Sequence, residues 1–154
     1  MMNFYDIWFS RVEISNRVKL ELMKKFEVSQ IWNLGYTELE KLGLKEITIM
    51  QILGKNYRDK LEQYANYLVK NEIELLTLKD KEYPDKLKNI PDMPAYIFIK
   101  GNKEILDDES VAIIGSRICT EDGKKIAFNT AKELGDKNIN VISGLALRNR
   151  YLCA

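Results

Sequence analysis

Two short stretches hold the residues best suited to chemistry. "IIGSRICT" contains Gly115, Ser116, Arg117 and Thr120, and "VISGLA" contains Ser143 and Gly144. A glycine at the end of a buried strand lets backbone approach a ligand closely. A helix starting just beyond it offers unpaired N–H groups and a partial positive charge, which attract phosphate. Ser116 adds a hydroxyl, and Arg117 adds a fixed charge with a planar fork of donors. The dinucleotide fingerprint requires glycine at positions 115, 117 and 120. This chain has Gly115, Arg117 and Thr120 there. The turn therefore reads as a phosphate-binding turn and not as an ordinary NAD site. The plainer alternative is a tight turn at Gly115 with a solvated Arg117. Ser143 and Gly144 repeat the pattern after the next strand. Parallel strands share a direction, so the two turns are expected at one edge of one sheet, around one crevice.

The elements that must position these turns follow from the surrounding pattern. "VAII" (Val111 to Ile114) is a continuous apolar run, which suits a strand covered on both faces. "TEDGKKIAFNTAKELGDKN" is an amphipathic helix with Ile126, Ala127, Thr130, Ala131 and Leu134 on one side. Thr120 is its expected N-cap, and Glu121 and Asp122 suit the positive end of the helix dipole. "NVISG" is the next strand, which completes a right-handed βαβ unit. Before it, "IELLTL" and "AYIFIKG" read as strands. Between those two, "KDKEYPDKLKNIPDMP" holds all three prolines and reads as a loop around one short helical turn.

The first seventy residues carry helical periodicity. Val18, Leu22 and Phe26 recur every four residues beside Met23, with lysines on the other side. Thr37 and Glu40 have capping-box spacing, and Gly43 suits a helix end. Tyr57, Leu61, Tyr64, Ala65 and Leu68 form a stripe opposite Arg58, Lys60, Glu62 and Lys70. A bundle of four or five helices is expected over 1–72.

Composition narrows the function classes. The 154 residues carry a net charge of +1, 45% hydrophobic and 31% charged residues, and no histidine. Near neutrality means that any nucleic-acid binding must come from a local basic cluster. Histidine acid–base catalysis is excluded. Two cysteines, without histidine or a CxxC pair, make neither a disulfide framework nor a zinc site. No metal or cofactor is expected. No apolar run approaches the roughly 18 residues of a membrane span, and the N-terminus lacks the features of a secretory signal. A cytoplasmic protein is expected.

Other residues admit two readings. Cys119 near a helix start could be an activated thiolate or an ordinary cysteine. Trp8, Phe9, Trp32 and the helix tyrosines could stack on bases or fill the core. Lysines 79, 81, 86, 88, 100 and 103 could track a phosphate backbone. They could equally form a solvated face with Asp80, Glu82 and Asp85.

Taken in order, "YPDKLKNIPDMPAYIFIKGN", "VAIIGSR", Thr120 with Gly123, and "SGLA" resemble the DNA-processing protein A family (DprA, also called Smf). The resemblance spans Tyr83 to Leu147. It implies an α/β fold, with an N-terminal helical domain of the SAM or helix-hairpin-helix kind over 1–72. An incomplete Rossmann-like parallel sheet would follow over 73–147. The glycine-rich hairpin turn of such helical domains has no counterpart in "VEISNRVKLELM". The resemblance further implies a non-enzymatic protein that binds single-stranded DNA and passes it to the RecA recombinase in natural transformation. Full-length members would be homodimers. Gly115, Ser116 and Arg117 would hold DNA phosphate, and Ser143 and Gly144 would shape the same pocket.

After "SGLAL" the family continues with glycine, isoleucine and aspartate, then alanine and histidine. Here "RNRYLCA" follows. A one-nucleotide shift of reading frame converts a coding string for the former into one for the latter. Residues 148–154 are therefore expected to be a frameshifted tail on a truncated and defective chain, with an apolar sheet edge left open. The alternative function from a different class is a Rossmann-like enzyme or carrier that holds a nucleotide phosphate in the same turns. A third is a helical interaction module formed by residues 1–72.

Overall fold

The computed structural model describes residues 3–54, 60–115 and 119–144. The chain is mixed α/β and divides into two compact units, Met1–Lys103 and Glu104–Ala154.

The first unit is built on six helices: α1 (Phe4–Arg11), α2 (Asn16–Lys25), α3 (Val28–Asn33), α4 (Tyr36–Lys41), α5 (Glu46–Leu53) and α6 (Leu61–Lys70). Two of them, α1 and α3, carry too little periodicity to be read from the sequence. Their starts are nonetheless capped. The Asn3 carboxamide accepts from the Tyr5 N–H at 3.1 Å, and the Gln30 side chain accepts from the Glu27 N–H at 2.9 Å. The expected box at Thr37 and Glu40 is displaced. Gly35 is the N-cap of α4, and Glu38 accepts its N–H at 2.7 Å. Gly43, at φ +78°, follows α4 in the left-handed conformation that glycine adopts without strain. The stripe on α6 buries Leu61 and Leu68 and half-buries Tyr64 and Ala65; Tyr57 and Arg58 lie outside the described residues. Trp8, Phe9, Ile31, Leu39, Ile49, Ile52, Leu61 and Leu68 are all but inaccessible and form the core.

Two strands join this unit, β1 (Ile73–Thr77) and β2 (Tyr96–Lys100). They pair antiparallel, Ile73 opposite Lys100 and Thr77 opposite Tyr96. Directly opposed residues share a face, so Ile73, Leu75, Tyr96 and Phe98 point the same way. Ile73, Leu75 and Tyr96 pack on the helical core. The change from helix to strand at residue 72 is thus a change of secondary structure. The spatial division falls beyond the hairpin, after Lys103. The strands expected to extend the parallel sheet form a separate sheet of their own.

The loop between β1 and β2 includes one short helix, α7 (Asp85–Lys88). Tyr83 is fully buried, and its hydroxyl donates to the Pro94 carbonyl at 2.6 Å. The next N–H, of Ala95, donates to the Asn16 carboxamide on α2 at 3.2 Å. The proline-rich loop is therefore tied to the fold by its first aromatic residue and by its exit.

Lys19 departs from the expected polar face of α2: it is only 6% exposed. Its ammonium donates to the Ser10 carbonyl at 2.8 Å and lies 6.0 Å from the ring centres of Phe9 and Tyr96. Burial lowers its pKa from 10.5 to about 8. Between these values the unfolded chain holds the proton that the folded chain has released. Stability contributed at this site therefore rises with pH from about 8 toward 10.5. Tyr83 and Tyr96, raised chiefly by burial, act oppositely above their ordinary range. The difference between wild type and Lys19→Met isolates the lysine. Relative to the variant, wild type is expected to gain about 1–3 kcal/mol across that window in urea unfolding. A difference that does not change with pH would show that Lys19 is not desolvated.

The second unit has a 3-10 turn (Glu104–Asp107), β3 (Ser110–Ala112), α8 (Glu121–Asp136) and β4 (Asn140–Ile142). β3 and β4 pair in parallel, with Ala112 opposite Ile142. On α8, Ala127, Ala131 and Leu134 are half-buried, whereas Ile126 and Thr130 of the expected apolar side are exposed. β3 is not covered on both faces. Val111 and Ile142 are exposed, and Ile114 beyond β3 is 88% exposed. The double cover expected for this apolar run is thus missing among the described residues.

Candidate functional site

The parallel register decides where the two turns lie. Ser110, Val111 and Ala112 stand opposite Asn140, Val141 and Ile142, and the Ile113 N–H donates to the Ile142 carbonyl at 2.9 Å. The carboxyl ends of β3 and β4 therefore lie at one edge. Gly115 leaves that edge from β3, and Ser143 and Gly144 leave it from β4. Ser116 and Arg117 lie outside the described residues.

Thr120 is the N-cap of α8. Its Oγ1 accepts from the Gly123 N–H at 3.1 Å. A Cβ at Gly123 would stand 3.3 Å from that oxygen, so a side chain there would crowd the cap. Glu121 and Asp122 occupy the first turn, and Lys124 pairs with Glu121. One donor of the helix start is thus satisfied internally, and two carboxylates already offset the dipole. An anion at this edge would depend on turn backbone more than on the helix. Gly144 is exposed, and among the described residues a Cβ built on it meets nothing within 4 Å.

The remaining candidates separate by their surroundings. Trp8 and Phe9 are core, which rules out stacking on bases. Cys119 is half-buried. In the lysine run, Lys79 is paired with Glu27, Lys88 with Asp85 and Lys103 with Glu74. Those three lysines are matched by acids, which argues against a phosphate track along them. A cavity of about 680 Å³ is lined by first-unit residues including Asp6, Glu74, Asp80 and Glu82 against Lys79 and Lys103. Its acidic walls do not suit a polyanion. Asp6, raised by burial, accepts a hydrogen bond from the Tyr96 hydroxyl at 3.0 Å. Among the described residues no cluster of His, Cys, Asp and Glu could hold a metal, and no helix is long and apolar enough to cross a membrane.

The family model described as DNA recombination-mediator protein A matches residues 74–147, which include both turns. The DNA processing protein DprA of Bacillus subtilis is 31% identical over 111 residues, 67% of this chain and 37% of that protein. The chain belongs to the DprA/Smf family. DprA of Streptococcus pneumoniae is 36% identical over 70 residues, 46% of this chain and 24% of that protein. Protein Smf of Borreliella burgdorferi is 26% identical over 134 residues, 87% of this chain and 42% of that protein. The chain thus spans well under half the length of these DprA and Smf relatives. A crystal structure of the pneumococcal DprA aligns with 94% of this chain and 50% of its own, at a TM-score of 0.55 and 25% identity. The likeness extends over the helices as well as the DprA signature.

Proposed function

We propose that this DprA-like chain binds single-stranded DNA at the shared edge of β3 and β4. Gly115, Ser116 and Arg117 hold a phosphate there, and Ser143 and Gly144 shape the pocket. The family domain runs over 73–147, preceded by helices over 1–72. The protein works by binding, not by catalysis, in the cytoplasm. Handing the strand to the RecA recombinase in natural transformation, and pairing as a homodimer, are the further roles that family membership suggests.

The observation that carries this reading is the parallel pairing of β3 with β4, which sends two small, polar turns out of one edge. Backbone donors and one arginine suit a sugar-phosphate chain and carry no base code. With Glu121 and Asp122 at the helix start, the arginine must supply the net positive charge. Replacing Arg117 by alanine is therefore expected to weaken binding of a fluorescein-labelled oligothymidylate about tenfold or more at moderate salt. Removing one phosphate contact should also reduce the slope of log affinity against log salt by about 0.7. Anisotropy titrations at several salt concentrations read both. An unchanged affinity with an unchanged slope would overturn the assignment.

A further inference from the structure

The first unit carries an aromatic surface that the shared edge of β3 and β4 does not use. Tyr64 and Tyr67 on α6 stack with centroids 6.4 Å apart and planes 13° from parallel. Phe98 on β2 meets Tyr64 edge-on at 6.3 Å. At the end of α1, Arg11 sets its guanidinium 4.3 Å over the Tyr64 ring. Tyr67 is 55% exposed and Phe98 43%. Rings held by one another yet open to water are unlike Trp8 and Phe9, which are sealed in the core.

The charged residues on the ring-bearing faces are cations. At 100° per residue, Lys60, Gln63, Tyr64, Tyr67 and Lys70 share a face of α6 and its N-cap, while Glu62 turns away. Lys100 follows Phe98 on the same face of β2. Among the described residues, no carboxylate pairs with Arg11, Lys60, Lys70 or Lys100. Elsewhere in this unit Lys79, Lys88 and Lys103 are each matched to an acid. An aromatic patch with cations on the same faces, none matched by an acid among the described residues, on a chain of net charge +1, is the local cluster that a polyanion with exposed rings requires.

We propose that Tyr64, Tyr67 and Phe98, with Arg11, Lys60 and Lys100 around them, form a second contact for single-stranded nucleic acid. Unpaired bases stack on the open faces of Tyr67 and Phe98, and the cations neutralise the phosphates between them. Arg11 fixes the Tyr64 ring, so the platform is ordered before the strand arrives. Stacking makes the site tolerant of base identity. The inference rests on the reading that this chain binds single-stranded DNA, but it uses different residues.

The test uses the full chain and an oligothymidylate carrying a central 2-aminopurine, whose emission falls when it stacks. The Tyr67→Ala/Phe98→Ala variant is expected to lose about tenfold to a hundredfold in affinity and much of the quenching. Tyr67→Leu, which keeps apolar area but not the π face, is expected to lose quenching as well, whereas Tyr67→Trp retains it. All these positions are partly exposed, so the far-ultraviolet dichroism should stay that of wild type. Full affinity and quenching in the double variant, with Arg117→Ala still weakening the wild type, would overturn the platform and leave the first site standing. Wild type that does not bind the oligonucleotide at all would overturn both.

Discussion

Leucine at position 144 is expected to lower affinity for single-stranded DNA at least tenfold, about 1.4 kcal/mol, without weakening the fold. The two halves of that expectation have separate causes. Among the described residues a Cβ on Gly144 meets nothing within 4 Å, and its backbone lies outside the left-handed region that penalises side chains. The thermal midpoint should therefore move by no more than about 2 °C. The side chain would instead extend from the edge where β3 and β4 both end. A phosphate that must touch backbone there would be held away by it. Scanning calorimetry and anisotropy on the same preparation separate the effects. Unchanged affinity with an unchanged midpoint would mean that nothing approaches this edge closely. The same experiment bears on the competing reading. A nucleotide carrier would be stabilised saturably by a mononucleotide with little dependence on salt. A strand binder would respond to chain length and lose affinity steeply with salt.

The second large effect concerns folding. Tyr83→Ala is expected to cost about 3–5 kcal/mol in urea unfolding, a third or more of the stability of a typical domain. The ring has no exposed surface, and the hydroxyl donates to the Pro94 carbonyl at 2.6 Å. Alanine would empty that volume and release the loop that closes on Pro94. Tyr83→Phe keeps the ring and removes only the donor. Its cost should be about 1 kcal/mol, because the part-buried carbonyl loses its partner. A loss below 1 kcal/mol for the alanine variant would show that the loop is held by other means. In this chain the tyrosine–proline start of the DprA signature is thus a clamp on the fold, not part of a binding surface.

Much of the second unit was legible in the sequence because its signals are local. Thr120 with Gly123 marks a helix start through one side-chain hydrogen bond, and α8 begins there. The short apolar runs at Val111 and Val141, joined through one helix, implied a parallel pair by connectivity alone. The first unit was less legible. Its helices α1 and α3 are short, and their aromatic residues face one another across the core instead of repeating along one helix. Lys19 was misplaced for a related reason. A lysine reads as polar on any wheel, and only packing against Ser10, Phe9 and Tyr96 reveals that its stem is buried. The pairing of β1 with β2 was also hidden. The sequence shows two strands and a proline-rich loop but not which edge each strand seeks.

The sequence alone determined the family, the order of the elements from β1 onward and the small residues at the two turns, because these depend on residue identity and on neighbours a few positions away. Tertiary structure alone decided which aromatics are sealed and which are open, which lysines are matched by acids, and that β1 and β2 form a sheet of their own. Those outcomes depend on residues distant in the chain, whose contacts form only when apolar surface leaves water and draws the polar groups with it.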